Sequence, residues 1–203
     1  MEPIGIDKKS TPKYVAQMRE KGIELNRQFT NIYEDMENMK NVWTGKEYNG
    51  LMEEFNKMND EIDKILDLVV NKIPYSLEEI TQIYANADGD STVTPQSTAI
   101  TNMKTLGNTN PDRLFIDDGA VESIKGETIN KLNQAKDQME QIQSLYNQID
   151  WEGSSANSYR SMFTTLKGQI VESFENIKAS FTQFMNEALE RYRNAEKATN
   201  VGQ

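Results

Sequence analysis

Four runs of apolar residues recur along the chain at helical spacing. In the first, Val15, Met18, Leu25, Phe29, Ile32, Met36, Met39 and Val42 fall at steps of three, four and seven, which is one face of an amphipathic helix. Such steps are those of helices that pack at a shallow angle to their neighbours. Ser10 or Thr11 ahead of Pro12 predicts an N-cap followed by a first-turn proline. Gly22 interrupts the stripe at a cost of about 1 kcal/mol relative to alanine, so a neighbouring helix is expected to come close there. The second run is Phe55, Ile62, Leu66, Val69, Ile73, Leu77, Ile80 and Tyr84. Pro74 falls inside it and predicts a kink. A separate short helix is expected after it, capped by Ser76 and stopped at Asp88-Gly89.

A third stripe follows Asp117-Asp118: Val121, Ile124, Leu132, Ala135, Met139, Ile142, Leu145 and Ile149. The fourth is Phe163, Leu166, Ile170, Phe174, Ile177, Phe181, Met185, Leu189 and Tyr192. Between the second and third stripes the chain reads GDSTVTPQSTAITNMKTLGNTNPD, a composition of linkers and loops. The expected organisation is a first helical hairpin over residues 1–88, a flexible linker over 89–116, and a second hairpin over 117–203.

The two hairpins are copies. Trp43 and Trp151 lie 108 residues apart, and so do Gly45 and Gly153, Phe55 and Phe163, Ile62 and Ile170, and Tyr84 and Tyr192. The same offset pairs Leu66 with Phe174, Val69 with Ile177, Ile73 with Phe181, Leu77 with Met185 and Asp88 with Glu196. One register therefore holds without a gap from the tryptophan to the carboxylate. The repeated unit is helix, Trp-Xaa-Gly turn, helix, then Tyr-Xaa-Xaa-Xaa-Asp/Glu. Glycine suits the turn because it tolerates positive φ, and a tryptophan offers a large apolar plug for the end of a bundle. Tyr and Asp/Glu four residues apart share one helical face.

Composition narrows the function. The 203 residues carry a formal net charge of −10, so nucleic acid is not an expected partner, because that needs a basic face. The absence of histidine and cysteine excludes Ser-His-Asp catalysis, thiol nucleophiles and imidazole or thiolate metal sites. Consecutive acids at Glu53-Glu54, Asp60-Glu61, Glu78-Glu79 and Asp117-Asp118 diverge on a helix and predict solvated faces. Asn86, Asp88 and Asp90 open like a calcium loop, but Ser91 and Ser97 stand where its glycine and closing glutamate belong. The ten methionines mostly fall on the stripes and predict adaptable core. No cofactor or metal is expected, and the chain is read as non-enzymatic. No run approaches the roughly 18 apolar residues of a membrane span, and stable membrane insertion is not expected. Residues 1–12 have no apolar signal-peptide core.

In its Trp-Xaa-Gly turns, Trp43-Thr44-Gly45 and Trp151-Glu152-Gly153, and in the Tyr-Xaa-Xaa-Xaa-Asp/Glu motif ending each second helix, the chain resembles a tandem member of the WXG family. These are small leaderless proteins exported by type VII secretion systems. The resemblance implies an all-α fold, with two helix-turn-helix hairpins packed antiparallel as an intramolecular four-helix bundle. It places an export motif at Tyr192 and Glu196, with an internal copy at Tyr84 and Asp88. It also implies that each turn neighbours the other hairpin's motif, Trp43 beside Tyr192 and Trp151 beside Tyr84. Partners would be the type VII secretion ATPase and membrane machinery, with self-association or a co-secreted helical partner open. Localisation would be secreted, without a signal peptide, and the end bearing Tyr192 would hold a free C-terminus. A cytosolic adaptor or chaperone for another exported protein, and a membrane-active helical toxin, are the alternatives. The linker length agrees with antiparallel pairing: helices of about 30 residues are about 45 Å long, and about 24 extended residues reach about 80 Å.

Overall fold

The computed structural model describes residues 4–90 and 92–200. Its elements in chain order are β1 (Gly5–Ile6), α1 (Thr11–Asn38), a 3-10 turn (Met39–Asn41), β2 (Trp43–Thr44), α2 (Lys46–Asp67), a π-helical turn (Leu68–Lys72), α3 (Ile73–Ala87), β3 (Phe115–Ile116), α4 (Asp118–Asn147), β4 (Trp151–Glu152) and α5 (Ser154–Asn200). The chain is all-α, with four long arms: α1, the α2–α3 arm, α4 and α5. The strands are two-residue bridges, and they define how the hairpins meet. β1 pairs antiparallel with β4, matching Ile6 to Trp151, and β2 pairs antiparallel with β3, matching Trp43 to Ile116. The start of α1 therefore lies at the end of α4, and the end of α1 at the start of α4. The two first arms run antiparallel, as expected of a four-helix bundle.

The stripes face one another. Val15, Leu25, Phe29, Met36, Phe55, Leu66, Leu132, Met139, Phe174 and Met185 belong to a single buried cluster drawn from both hairpins. Phe29 meets Phe174 at 5.1 Å between ring centroids, and Phe55 meets Phe181 edge-on at 5.9 Å. A fully buried phenylalanine contributes up to about 3 kcal/mol by transfer from water, so neither hairpin keeps its apolar face covered alone. Gly22 sits where α1 touches the π turn. A Cβ there would lie 3.2 Å from Val70 Cα and 3.3 Å from Val69 Cγ1, so the close approach expected from the glycine is present.

Three local expectations are corrected. Pro74 does not separate a short helix capped by Ser76; α3 begins at Ile73, directly after the π turn, and Ser76 lies inside it. The Ile73 N–H reaches back five residues to the Leu68 carbonyl, and this wider turn opens the helix ahead of the proline ring. Ser10 occupies the cap of α1 without a side-chain bond. Asp7 takes over, its carboxylate accepting from the Lys9 and Ser10 N–H groups. Glu78 is not on a solvated face: it is buried and paired bidentately with Arg19, both bonds 2.9 Å.

The linker, expected to be flexible, is docked. Residues 92–110 run without helix or strand between α1 and the α2–α3 arm, held by side chains of both. The carboxamide of Asn56 donates to the Leu106 carbonyl at 2.9 Å and accepts from the Leu106 N–H at 2.7 Å. Asn26 does the same with Thr101, both bonds 2.8 Å, and Asn49 with Thr109, at 3.0 and 2.7 Å. Asp63 accepts from the Met103 N–H, Asn71 from the Thr98 N–H and Glu78 from the Gln96 N–H. Val93, Met103 and Leu106 are buried beneath the segment. Polar loop composition suggested a free tether because the groups that hold the linker lie elsewhere in the chain.

Candidate functional site

The sequence singles out two ends of the bundle, each built from a Trp-Xaa-Gly turn and the lead-in to the other hairpin. Gly45 and Gly153 take φ values of 117° and 113°, a region that a residue with a Cβ rarely adopts. Each glycine precedes the first residue of a second arm, and its carbonyl accepts the first helical bond, Asn49 N–H to Gly45 at 3.1 Å and Asn157 N–H to Gly153 at 3.2 Å. The two lead-ins match as well. The Asp117 N–H donates to the Val42 carbonyl at 2.7 Å, and the Asp7 N–H donates to the Asp150 carbonyl at 2.9 Å. Ile6-Asp7 and Ile116-Asp117 are thus counterparts, 110 residues apart rather than 108. That two-residue shift falls in the first arms and hides them from the register that aligns the rest.

At one end Trp43 is fully buried at 0% exposure. Its ring meets Tyr48 edge-on at 6.1 Å and Tyr192 edge-on at 6.3 Å. The expected neighbourhood of Trp43 and Tyr192 is therefore present. The Tyr192 hydroxyl is buried with no hydrogen-bond partner among the described residues, so the ring is held by packing. A Cβ on Gly45 would stand 3.1 Å from Leu114 Cδ2 and 3.5 Å from the Tyr192 hydroxyl; the missing side chain makes room for both. One turn beyond Tyr192, Glu196 is exposed, and among the described residues no cation lies within ion-pair distance of its carboxylate. The arginines beside it are engaged: Arg193 pairs with Asp118 at 2.8 Å and Glu122 at 3.0 Å, and Arg191 with Glu47 at 2.8 Å. Those two partners hold the Arg193 guanidinium above its ordinary pKa, Asp118 first, and the Glu122 carboxyl lies below its usual range, through Lys125 first and then Arg193.

The other end differs. Trp151 is also buried, but its ring partner is Tyr159 of the same hairpin, at 5.3 Å. Tyr84 forms no ring pair among the described residues, so the expected Trp151–Tyr84 contact is not made by the rings. The repeat register explains this. Tyr159 stands where the first hairpin has Leu51, and Ala156 where it has Tyr48, so Trp151 is supported from its own arm. Arg160 closes the turn further, donating to the Trp151 carbonyl at 2.6 Å. Asp88 is clamped by Lys8 at 2.7 Å, and Asp90 shares the same ammonium at 3.2 Å. Hydrogen bonding from Thr92 and then Lys8 holds the Asp90 carboxyl below its usual range.

The two copies of the motif are thus presented differently. At Tyr192 the aromatic ring joins the opposite turn, and the following acid is exposed with no ion-pair partner among the described residues. At Tyr84 the acid is also exposed but is paired with Lys8 of the N-terminal lead-in. Among the described residues no cluster of three or more carboxylates is arranged to hold a metal ion, and no helix is long and apolar enough to cross a membrane. No family model matches the chain, and comparisons with curated proteins and with solved structures give no match.

Proposed function

We propose that the protein is a non-enzymatic, WXG-type substrate of a type VII secretion system, exported without a signal peptide and recognised through Tyr192 and Glu196. The observation that carries this reading is the Trp43–Tyr192 contact between hairpins, followed by an acid with no ion-pair partner among the described residues. A recognition motif must offer a free charge on a firm support, and Glu196 has both: helix α5 carries it, and the packed Tyr192 ring anchors that helix to the Trp43 turn. Asp88, although exposed, already has Lys8 as an ion-pair partner. In this reading the secretion ATPase contacts the Tyr192 end, the internal Tyr84 motif is silent, and fusion of two hairpins in one chain replaces the usual dimer by raising their effective concentration.

The test is export into culture medium from a host with a functional type VII system. Tyr192→Ala and Glu196→Ala are each expected to leave the protein in the cell lysate with its far-UV circular dichroism unchanged, while Asp88→Ala is exported normally. Normal export of folded Glu196→Ala protein would sink the proposal, whereas retention of the unaltered chain in the lysate would favour a cytosolic adaptor.

A further inference from the structure

The docked linker points to a second site that does not depend on export. We propose that the groove between α1 and the α2–α3 arm is a binding site for an extended polypeptide segment, read through its backbone, and that the linker is its tethered occupant.

The argument begins with spacing. Asn49, Asn56 and Asp63 are seven residues apart on α2; the next contacts, Asn71 and Glu78, are again seven apart, with one residue inserted between the two sets at the π turn. Seven helical residues advance about 10.5 Å. Three residues of extended chain advance about 10 Å. Along α2 the two repeats are commensurate, and the backbone N–H groups of Thr109, Leu106 and Met103 meet Asn49, Asn56 and Asp63 in turn; past the π turn the step changes, Asn71 meeting Thr98 and Glu78 meeting Gln96. The apolar residues of the linker follow the same step. Met103 and Leu106 are buried, and Ile100 packs against the core beside them. An extended chain with about three residues per turn brings every third side chain to one face.

The chemistry is main-chain recognition. A carboxamide has one acceptor and one donor group, which match the N–H and C=O of a single residue, as at Thr101, Leu106 and Thr109. Such contacts ignore side-chain identity, while the apolar seats supply selectivity, as in other extended-peptide sites. The Arg19–Glu78 pair closes one end of the groove, since Arg19 donates to the Gln96 carbonyl at 3.1 Å and Glu78 accepts from its N–H at 2.7 Å. The repeat keeps the first rung of this ladder, with Asn157 where the first hairpin has Asn49, but not the next three. The second hairpin has Thr164, Val171 and Ala179 where the first has Asn56, Asp63 and Asn71. At those three positions the ladder is therefore an addition to the duplicated core rather than part of what packs it. The ligand class is an extended peptide with apolar residues at every third position.

The test uses the full-length chain and fluorescence anisotropy of a labelled peptide with the sequence of residues 95–110. A variant with Ile100→Ser, Met103→Ser and Leu106→Ser releases its own linker, and is expected to bind the peptide at least about tenfold more tightly than the wild-type chain, whose groove is filled. Adding Asn56→Ala should weaken that binding. A peptide with its three apolar residues each moved one position along should bind about tenfold more weakly. Equal binding of the two peptides, or none by a triple variant of wild-type helicity, overturns the proposal. Should the triple variant not fold, amide exchange in the Asn56→Ala chain decides. Faster exchange at Met103, Leu106 and Thr109 together, with α1 and α2 unchanged, supports one site. Acceleration confined to Leu106 means isolated contacts and overturns it.

Discussion

A glycine inside a helix ordinarily invites replacement, because alanine gains about 1 kcal/mol of propensity. At Gly22 the sign reverses. The added methyl would meet Val70 Cα at 3.2 Å, and backbone does not move aside as a flexible side chain does. Gly22→Ala is expected to lower stability by about 1–3 kcal/mol, the usual cost of overpacking, measured as a lower urea midpoint. Tyr192 separates ring from hydroxyl. Its buried hydroxyl lacks a partner among the described residues, so Tyr192→Phe is expected to leave stability within about 1 kcal/mol and export intact, whereas Tyr192→Ala loses the ring against Trp43. A Phe variant that fails to leave the cell while folded would place recognition on the hydroxyl instead. Tyr48 and Tyr146 are pushed up to about 12, mainly by burial. A raised pKa means that the neutral phenol is favoured in the folded state. Its stabilising contribution is full below the unfolded value near 10 and is lost as pH rises toward 12. Tyrosinate absorbance and helical ellipticity are expected to change together in that window.

Among the elements, the π turn does two things at once. It accommodates Pro74 within a continuous arm, and it inserts the residue that brings Asn71 and Glu78 onto the face of Asn49, Asn56 and Asp63. Deleting Asn71 would rotate α3 by about 100° relative to α2. Leu77 and Thr81, both buried, would turn away from the core and Glu78 away from Arg19. A loss of about 3 kcal/mol or more is expected, together with a linker that becomes sensitive to protease near Gln96. A deletion variant with an unaltered urea midpoint would show that the π turn carries no register. The lead-in strands act by length alone: two residues each suffice, because they align Ile6 and Ile116 on the buried tryptophans of the opposite hairpin.

For the molecule as a whole, the two copies form one core. Phe29 and Phe174 belong to different hairpins and lie in the same cluster. Phe29→Ala is therefore expected to cost about 3–5 kcal/mol and to destabilise α4 and α5 as much as α1. Unfolding should remain a single transition when followed by tryptophan fluorescence and by circular dichroism. Two separated transitions would mean that the hairpins are independent units.

Helical arms, Trp-Xaa-Gly turns and a duplicated unit were already implicit in periods of 3.6 and in one offset of 108, because amphipathic spacing and turn glycines act locally. The antiparallel pairing of the first arms was implied by the family resemblance and agreed with the linker length, since the need for a cover does not by itself set direction. Other features depended on partners distant in the chain. Asn26, Asn49 and Asn56 look like ordinary polar helix positions until the linker lies against them, and the linker's three-residue period is neither a helical nor a strand signal. Glu78 looks solvated until Arg19 reaches it across the groove. The two Tyr-Xaa-Xaa-Xaa-Asp/Glu motifs are equivalent as text, yet Lys8 pairs with one acid while the other has no ion-pair partner among the described residues. Backbone preference and periodicity suffice to specify the arms; which polar groups are paired, and so which remain available to a partner, is settled only when remote segments are brought within hydrogen-bonding distance.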